Sequence, residues 1–584
     1  MLIEKLRKLL DSREISVREL TGAYLDRIDK YKGGIRAYLY VDRAGALAAA
    51  DRAQSRIDAG GQTALTGIPI ALSDNIITKD MPTTCASRML DGFRPPFDAT
   101  VVNKLREQDA VLLGKLNVDE FGMGTSTQTS YYGRTCNPYD YSRVPGGASG
   151  GAAAAVAAGL CAAALGVDSG GGVNLPAAYC GVSGLRPTYG SVSRHGCASY
   201  ASCYDQAGPV ATGSVDAALL LAAISGRCPM DTMTAGFKDM AGGNSAGGSS
   251  TANAGITAFT AGGNSASGSS GSSAADSSIA SIFGSAGSSG IFGSTGAIGA
   301  IKGLKVGFIG ELFGAGCDIR ILEAVRGALK WFEEAGADIS EAGIPTLPYG
   351  AAAHYIIACA EVSGNFGRYD GIRYGLRADT AGDYFDIIAK SRGEGFGREV
   401  KRQILFGTNA LTSGYYDKHY KRAVSVAEAV REQFSAAMQK YDVLIAPSSA
   451  CVAPAAASEA QPTTANVAPS AAGNAPASAS VAPAAANQTG CGYFGEACDN
   501  SADMYSVGPA LAGLPALTTT CGYLSELSGP GSGSGPQKES RPLPVGFTII
   551  GRRFEDMKLL AVADAYERRF TDRMPAIDDG WKGY

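Results

Sequence analysis

The sequence predicts an α/β domain in which helices pack on a layer of short strands. Two observations predict it. Brief apolar runs such as GIPIALSDNII (67–77) and YDVLIAP (441–447) have strand length and strand composition, and stretches with helical spacing lie between them. Alternation of these two kinds of segment is the pattern of a layered α/β fold. With 584 residues, the chain has ample material for a large core.

Taken in order, residues 1–58 read as helices. Ser16-Val17-Arg18-Glu19 is a capping box, and Val17, Leu20, Tyr24, Ile28 and Tyr31 recur at helical spacing behind it. A strand follows at 67–77, a short helix at 101–108, and a buried strand from Ala110 to Leu113. The Ala-rich run 152–165 favours a helix after a glycine loop. Gly303–Gly310 reads as a strand, 321–335 as a helix and 396–440 as long helices. Strands at 441–447 and 544–550 and a helix at 554–571 complete the pattern.

Three segments break it. Residues 241–300 are almost wholly Gly, Ser, Ala, Asn and Thr; residues 449–490 are dominated by Ala, Pro, Ser and Thr; residues 525–540 form a Gly/Ser/Pro tract. Such compositions bury too little apolar surface to offset the entropy of ordering, so they are expected to be flexible insertions in one domain spanning 1–584.

Net charge is −4, which argues against the chain itself being a strong electrostatic binder of nucleic acid, though not against a role beside a partner that is. The 13 cysteines contain no C-x-x-C pair, so neither a disulfide framework nor a zinc site is expected, and free thiols in a reducing compartment are. Charges interrupt every apolar run of the opening segment, so no secretory signal is read and a cytoplasmic location is expected. Val144 to Val167 carries no charge, yet it is mostly Gly and Ala and opens with Pro145-Gly146-Gly147; a buried loop and helix is expected there, not a membrane span.

GIPIALSDNI, GKLNVDEFGMGTSTQTSYYGRTCNP, PGGASGGAAAAVAAG, GVDSGGGVNLPAAYCGVSGLRPTYGSVSR and DQAGPV occur in the order and spacing of amidase-signature enzymes, which this chain resembles. Within that family it is most similar to the A subunits of tRNA-dependent amidotransferases, through GLKVGFIGELF, AEVSGNFGRYDGIRYG, KYDVLIAPS, LAGLPAL and LPVGFTIIG. The resemblance implies an α/β/α fold around a mixed central sheet flanked by helices. It implies a serine nucleophile, a second serine on a cis peptide that relays the proton, and a buried lysine as base. It also implies a heterotrimer with two other subunits, glutamine as ligand, and tRNA contact mainly through a partner. That partner uses ATP and Mg; no cofactor or metal is expected in this chain.

Position by position, the chemistry implied by the resemblance is missing. The lysine position holds Ser73, the relay serine position Ala148 and the nucleophile position Gly172, with Asn174 where an arginine is expected. Glycine and alanine offer no nucleophile or relay, and a serine hydroxyl has no useful basicity. Gly170 and Gly171 keep the backbone of the oxyanion turn. The glutamine pocket is altered too: a tyrosine maps to His354, and the carboxylate-pairing arginine to Gln403 beside Arg402. An aspartate expected after Met504-Tyr505 is deleted. Ser149 and Cys203 are the candidate replacement nucleophiles. Asp119, Glu120, Asp205 and Gln206 are read as supporting or capping residues, and His195, His354 and His419 as ordinary histidines. The expectation is a catalytically dead A-subunit-like protein with a structural or regulatory role. The alternatives are an active amidase with replacement residues and a small-molecule binding module built on the emptied pocket.

Overall fold

The computed structural model describes residues 2–235, 301–314, 316–379, 382–457, 498–525, 541–569 and 576–577. The segment 241–300 lies outside the described residues, as do 458–490 and 526–540 of the other two low-complexity tracts. Residues 449–457, which read as the start of the second tract, are described, and Ala453 is fully buried. It packs against Leu175 and Tyr179, because this stretch leaves a central strand and runs under a helix.

Eleven strands make one sheet. They are β1 (Tyr38–Val41), β2 (Pro69–Ser73), β3 (Val111–Leu116), β4 (Ala163–Asp168), β5 (Ser183–Arg186) and β6 (Gln206–Ala211). Then follow β7 (Lys305–Ile309), β8 (Asp338–Ala342), β9 (Val443–Pro447), β10 (Ala516–Leu524) and β11 (Leu543–Gly551). Their order is β1-β3-β2-β4-β6-β5-β10-β11-β9-β7-β8. β2 is parallel to β3 and β4, and β7 is parallel to β8 and β9; the remaining pairs are antiparallel, so the sheet is mixed.

Strand alternation divides the core between the two faces. On β9, Val443 and Ile445 join one apolar layer, while Leu444 and Ala446 join the other. The first layer takes the helices of the N-terminal third together with Ile319–Glu334 and Asp556–Glu567; the second takes Gly350–Asn365 and Lys421–Lys440. Both faces of β9 and β11 are covered, which is why these strands read as continuous apolar runs.

Local signals hold where the sequence carries them. Ser16 caps the helix Val17–Ile35, and Glu19 returns the bond to the Ser16 backbone at 2.9 Å. Two expectations are corrected. Residues 1–58 are not all helical: Tyr38–Val41 forms β1, whose aromatic and β-branched side chains suit an edge beside β3. The Ala-rich run also divides. Its helix ends at Ala157, Gly159 turns the chain at φ 67°, and Ala163–Asp168 becomes β4. Pairing with β2 and β6 overrides the helical preference of alanine there.

Candidate functional site

The site lies beyond the carboxyl ends of the parallel strands β2 and β4, where open α/β sheets place their ligand crevices. Ser73 ends β2 and leads into Asp74-Asn75. β4 ends at Asp168 and turns through Ser169–Val173 into the helix Asn174–Cys180. A second glycine turn, Gly146–Ser149, opens the helix Gly150–Ala157. The two turns are joined by the Ser149 amide donating to Gly172 O at 2.9 Å. The Gly147–Ala148 peptide is cis, as the resemblance implies for the relay position.

A cavity of about 710 Å³ opens over these turns. Ala148, Gly170, Gly171, Gly172, His354, Arg402 and Gln403 all line it, so the folded chain brings together most of the residues singled out from the sequence. A Cβ placed on Gly172 would stand 3.6 Å from the Ala148 Cβ. The positions that the resemblance assigns to the nucleophile and the relay are thus neighbours on one wall, and neither holds a side-chain heteroatom. Ser73 is fully buried but does not line the cavity, and its Oγ has no hydrogen-bond partner among the described residues.

A hydrogen-bonded frame stands behind this wall. Asp168 accepts from the Gly171 amide at 3.0 Å and the Val173 amide at 2.8 Å, fixing the turn. The Gly171 N–H, expected to serve an oxyanion, is therefore directed at Asp168. Arg186 pairs with Asp168 Oδ1 at 2.7 Å and also donates to Tyr204 O at 2.7 Å; both charged side chains are buried. Gly171 sits at φ +110°, where a larger residue would be strained, and its Cβ would meet Ser506 at 2.2 Å. Asp119 ties the loop above the cavity, accepting from the Ser126, Thr127 and Thr129 amides at 3.1, 2.8 and 3.3 Å. Asp205 accepts from Ser169 Oγ at 2.5 Å, and burial raises its carboxyl above the usual carboxylate range.

The candidate replacement nucleophiles are placed differently. The Ser149 hydroxyl donates to Val167 O and accepts from the Val167 amide, both at 3.1 Å, so it is committed to β4. Cys203 is exposed and is not on the cavity wall. Of the other histidines, His195 bonds Thr100 and His419 stacks on Tyr415; neither lines the cavity. Asn174 donates to Gly184 O, Ala516 O and Thr518 Oγ1 at 3.1–3.2 Å and so ties its helix to β5 and β10.

The far wall comes from the helices Gly350–Asn365 and Arg398–Ala410. His354 Nε2 lies 2.9 Å from Ser169 O, and the ring packs on Tyr204 with centroids 4.9 Å apart. Burial holds its pKa down at about 4. Gln403 Nε2 donates to Glu399 Oε1 at 2.8 Å, and Arg402 pairs with the same carboxylate at 2.8 Å. Glu120 also lines the cavity. Its carboxylate accepts from Ser87 Oγ at 2.5 Å and from the Gly397 amide at 3.0 Å, just before the helix that carries Gln403, and burial pushes its pKa up to about 7.

The motifs do not point to several wall residues, among them Tyr355, Glu399 and Ser506, whose hydroxyl donates to Gly170 O at 2.7 Å. Nor do they point to Lys115. This fully buried lysine sits 3.3 Å from Asp74, with its pKa lowered by desolvation, and donates to Ile76 O at 2.6 Å and Thr83 Oγ1 at 2.8 Å. It serves the 76–83 loop, not the cavity. A charged residue inside an apolar strand pattern is the signal that could have found it.

This strand–turn–helix pair beneath a crevice, with its cis peptide and buried Asp–Arg frame, defines a class: the chain belongs to the amidase family, whose profile matches residues 19–242 and 294–560. More particularly, it is similar over 98% of its length to proteins named as the A subunit of glutamyl-tRNA(Gln) amidotransferase. That of Ruminiclostridium cellulolyticum is 37% identical over 577 residues, covering 99% of the relative. That of Thermoanaerobacter pseudethanolicus is 38% identical over 582 residues, covering 98% of the relative. Among solved structures, the corresponding protein of Thermotoga maritima superposes with a TM-score of 0.62 at 29% identity, covering 95% of both chains. The Stenotrophomonas maltophilia peptide amidase gives 0.68 at 25% identity, covering 99% of this chain and 98% of its own.

Proposed function

We propose that this chain is an A-subunit-like component of a glutamine-dependent tRNA amidotransferase that does not itself hydrolyse glutamine. It acts in the cytoplasm in a structural or regulatory role beside two partners, one of which makes the main tRNA contact and uses ATP and Mg. Family membership over the whole chain supports the complex. The observation that carries the silent site is the pairing of Gly172 and Ala148 on the cavity wall, 3.6 Å apart at Cβ, with no heteroatom on either side chain.

The physical reason is direct. Acyl transfer from an amide needs a nucleophile with a base in hydrogen-bond reach. Gly172 and Ala148 do not supply the first; among the described residues near them in sequence, the Ser149 hydroxyl is spent on Val167 O and that of Ser169, on the cavity lining, is spent on the Asp205 carboxylate. Losing such a unit typically costs several orders of magnitude in rate.

The deciding assay is glutamate release from glutamine by the purified chain assembled with its two partners. No release above background is expected. Turnover at about one per second or faster, an ordinary enzyme rate, overturns the reading. The triple variant S73K/A148S/G172S is expected to gain release. The Cβ it adds at position 172 must move the Val167 carbonyl, 2.9 Å away, by a few tenths of an ångström, so its melting temperature should be recorded alongside.

A further inference from the structure

The strap that leaves β9 carries one of a pair of thiols that the site described above does not use. Asp318 donates its backbone N–H to Ala450 O at 2.8 Å, which lays the residues before the helix Ile319–Glu334 against those after β9. Cys317 and Cys451 flank that bond. In a trans peptide, the Cα before an N–H lies on the hydrogen's side, and the Cα after a C=O lies on the oxygen's side. Standard bond lengths then keep the two Cα atoms at most about 7 Å apart, and disulfides span about 4.4–6.8 Å. The side chains lie over the same stretch of backbone. Cys317 Sγ donates to Ser449 O at 3.7 Å, and Cys451 Sγ is 3.8 Å from the Tyr179 hydroxyl. Both thiols are near enough to the Tyr505 hydroxyl to act on its ionisation, and Cys451 acts in the same way on Cys317. Both cysteines are half-buried thiols, so a small reagent can reach them.

A bond between them would hold the rim of the cavity. Just beyond Cys451, Ala453 is buried against Leu175 and Tyr179, and Pro454, Ala455 and Ala457 line the cavity itself. The far end of this strap is held by the Val144 amide donating to Pro454 O at 3.1 Å and the Ala456 amide donating to Ser142 O at 2.8 Å. On the other side, Cys317 stands directly before Asp318, whose carboxylate caps Ile319–Glu334 by accepting from the Arg320 amide at 2.9 Å. A cross-link would therefore tie a cavity wall to the start of a core helix.

We propose that Cys317 and Cys451 form a reversible disulfide, made by exchange with a low-molecular-weight disulfide, that fastens the cavity rim at Pro454, Ala455 and Ala457. One protein thiol, deprotonated, attacks a sulfur of the small disulfide; that S–S bond breaks, and the leaving thiolate takes up a proton. The second protein thiol, deprotonated in turn, attacks the protein sulfur of the mixed disulfide and expels the other small thiol. The protein loses two electrons and two protons, and the small disulfide gains both. Burial pushes the Cys317 pKa up to about 11, so exchange should quicken as pH rises toward that value. In a reducing compartment such a pair stays as thiols until oxidants accumulate. The bridge forms whether or not the cavity hydrolyses glutamine.

The test is incubation of the full-length chain with oxidised glutathione at about pH 8.5, near the ordinary thiol pKa, then alkylation and non-reducing peptide mapping by mass spectrometry. A peptide pair joined through Cys317 and Cys451 is expected, and dithiothreitol should release it. Amide hydrogen exchange at residues 452–457 should slow about tenfold or more in the bridged protein. In Cys317→Ser the bridge should be absent and exchange at 452–457 should no longer respond to oxidised glutathione. Both cysteines still open to alkylation in the native chain overturns the proposal, and so does a bridge from Cys451 to any other cysteine. A bridge that leaves exchange at 452–457 within about twofold of the reduced protein overturns the role at the rim, as does a response that persists in Cys317→Ser.

Discussion

The turn Ser169–Val173 and the wall it forms are built to different standards. Behind the turn the side chains hold one another and the backbone: Asp168 holds two amides, Arg186 holds Asp168, and Asp205 holds Ser169. In front of it, at Gly172 and Ala148, there is only backbone and one methyl group. The frame is part of the fold and does not depend on the side chains at Gly172 and Ala148. Asp168 ends a central strand, and the groups that satisfy it are buried, so losing them would unfold the turn whether or not it catalyses anything.

The largest effect should come from breaking the frame. Arg186→Met leaves Asp168 buried and unpaired, and is expected to cost about 3–5 kcal/mol, read from the urea midpoint at unchanged m-value. If the cost falls below about 1 kcal/mol, the frame is not what keeps the turn.

A smaller effect contrasts the two titrating groups of the cavity. Glu120 has its pKa raised from 4.5 to about 7, so between those values the folded state binds more protons than the unfolded state and stability falls as pH rises. His354 has its pKa lowered from 6.5 to about 4, so across that window the unfolded state binds more protons and stability rises with pH. Between about pH 4.5 and 6.5 the two slopes oppose each other and the native protein should respond weakly to pH at this site. Glu120→Gln should leave a rising profile and His354→Phe a falling one, each worth about 3 kcal/mol at most over its window. Thermal melts across pH 4–7 check this; identical profiles in both variants would remove the assigned causes.

Smaller still is Ser149→Ala. It leaves the Val167 amide without its side-chain acceptor, and should cost about 1–2 kcal/mol in thermal unfolding. Labelling by a serine-directed probe should be absent in both proteins. Labelling of the native chain that the substitution abolishes would place Ser149 on the chemical side of the comparison.

Legibility follows the range of the interactions involved. The helix expected at 101–108 is Thr100–Glu107, and the capping box at Ser16 forms, since both depend on neighbours within a turn. β4 reads as helix because its residues are rich in alanine, and its strand state comes from β2 and β6 on either side. β5 and β6 carry too little periodicity to stand out: Ser183–Arg186 has four residues, and Gln206–Ala211 mixes Gln, Gly and Pro with its apolar members. At the site, Ala148, Gly172, His354 and Gln403 are legible by motif and do meet around one cavity. Glu399 and Ser506 are not, because they belong to no local pattern and reach the cavity from helices remote in sequence.

By itself the sequence determined which atoms are absent. A position occupied by Gly172 or Ala148 cannot present a hydroxyl in any fold, and the glycine turns that surround them are local in the chain. Only the tertiary structure decided which of the remaining polar groups are spoken for. Ser149 is answered by Val167, 18 positions away, and Ser506 by Gly170, 336 away. Gln403 is turned by Glu399 so that its oxygen has no partner among the described residues. A side chain's identity fixes the bonds it can make, while its burial and neighbours fix the ones it makes, and these come from elements the sequence places far apart.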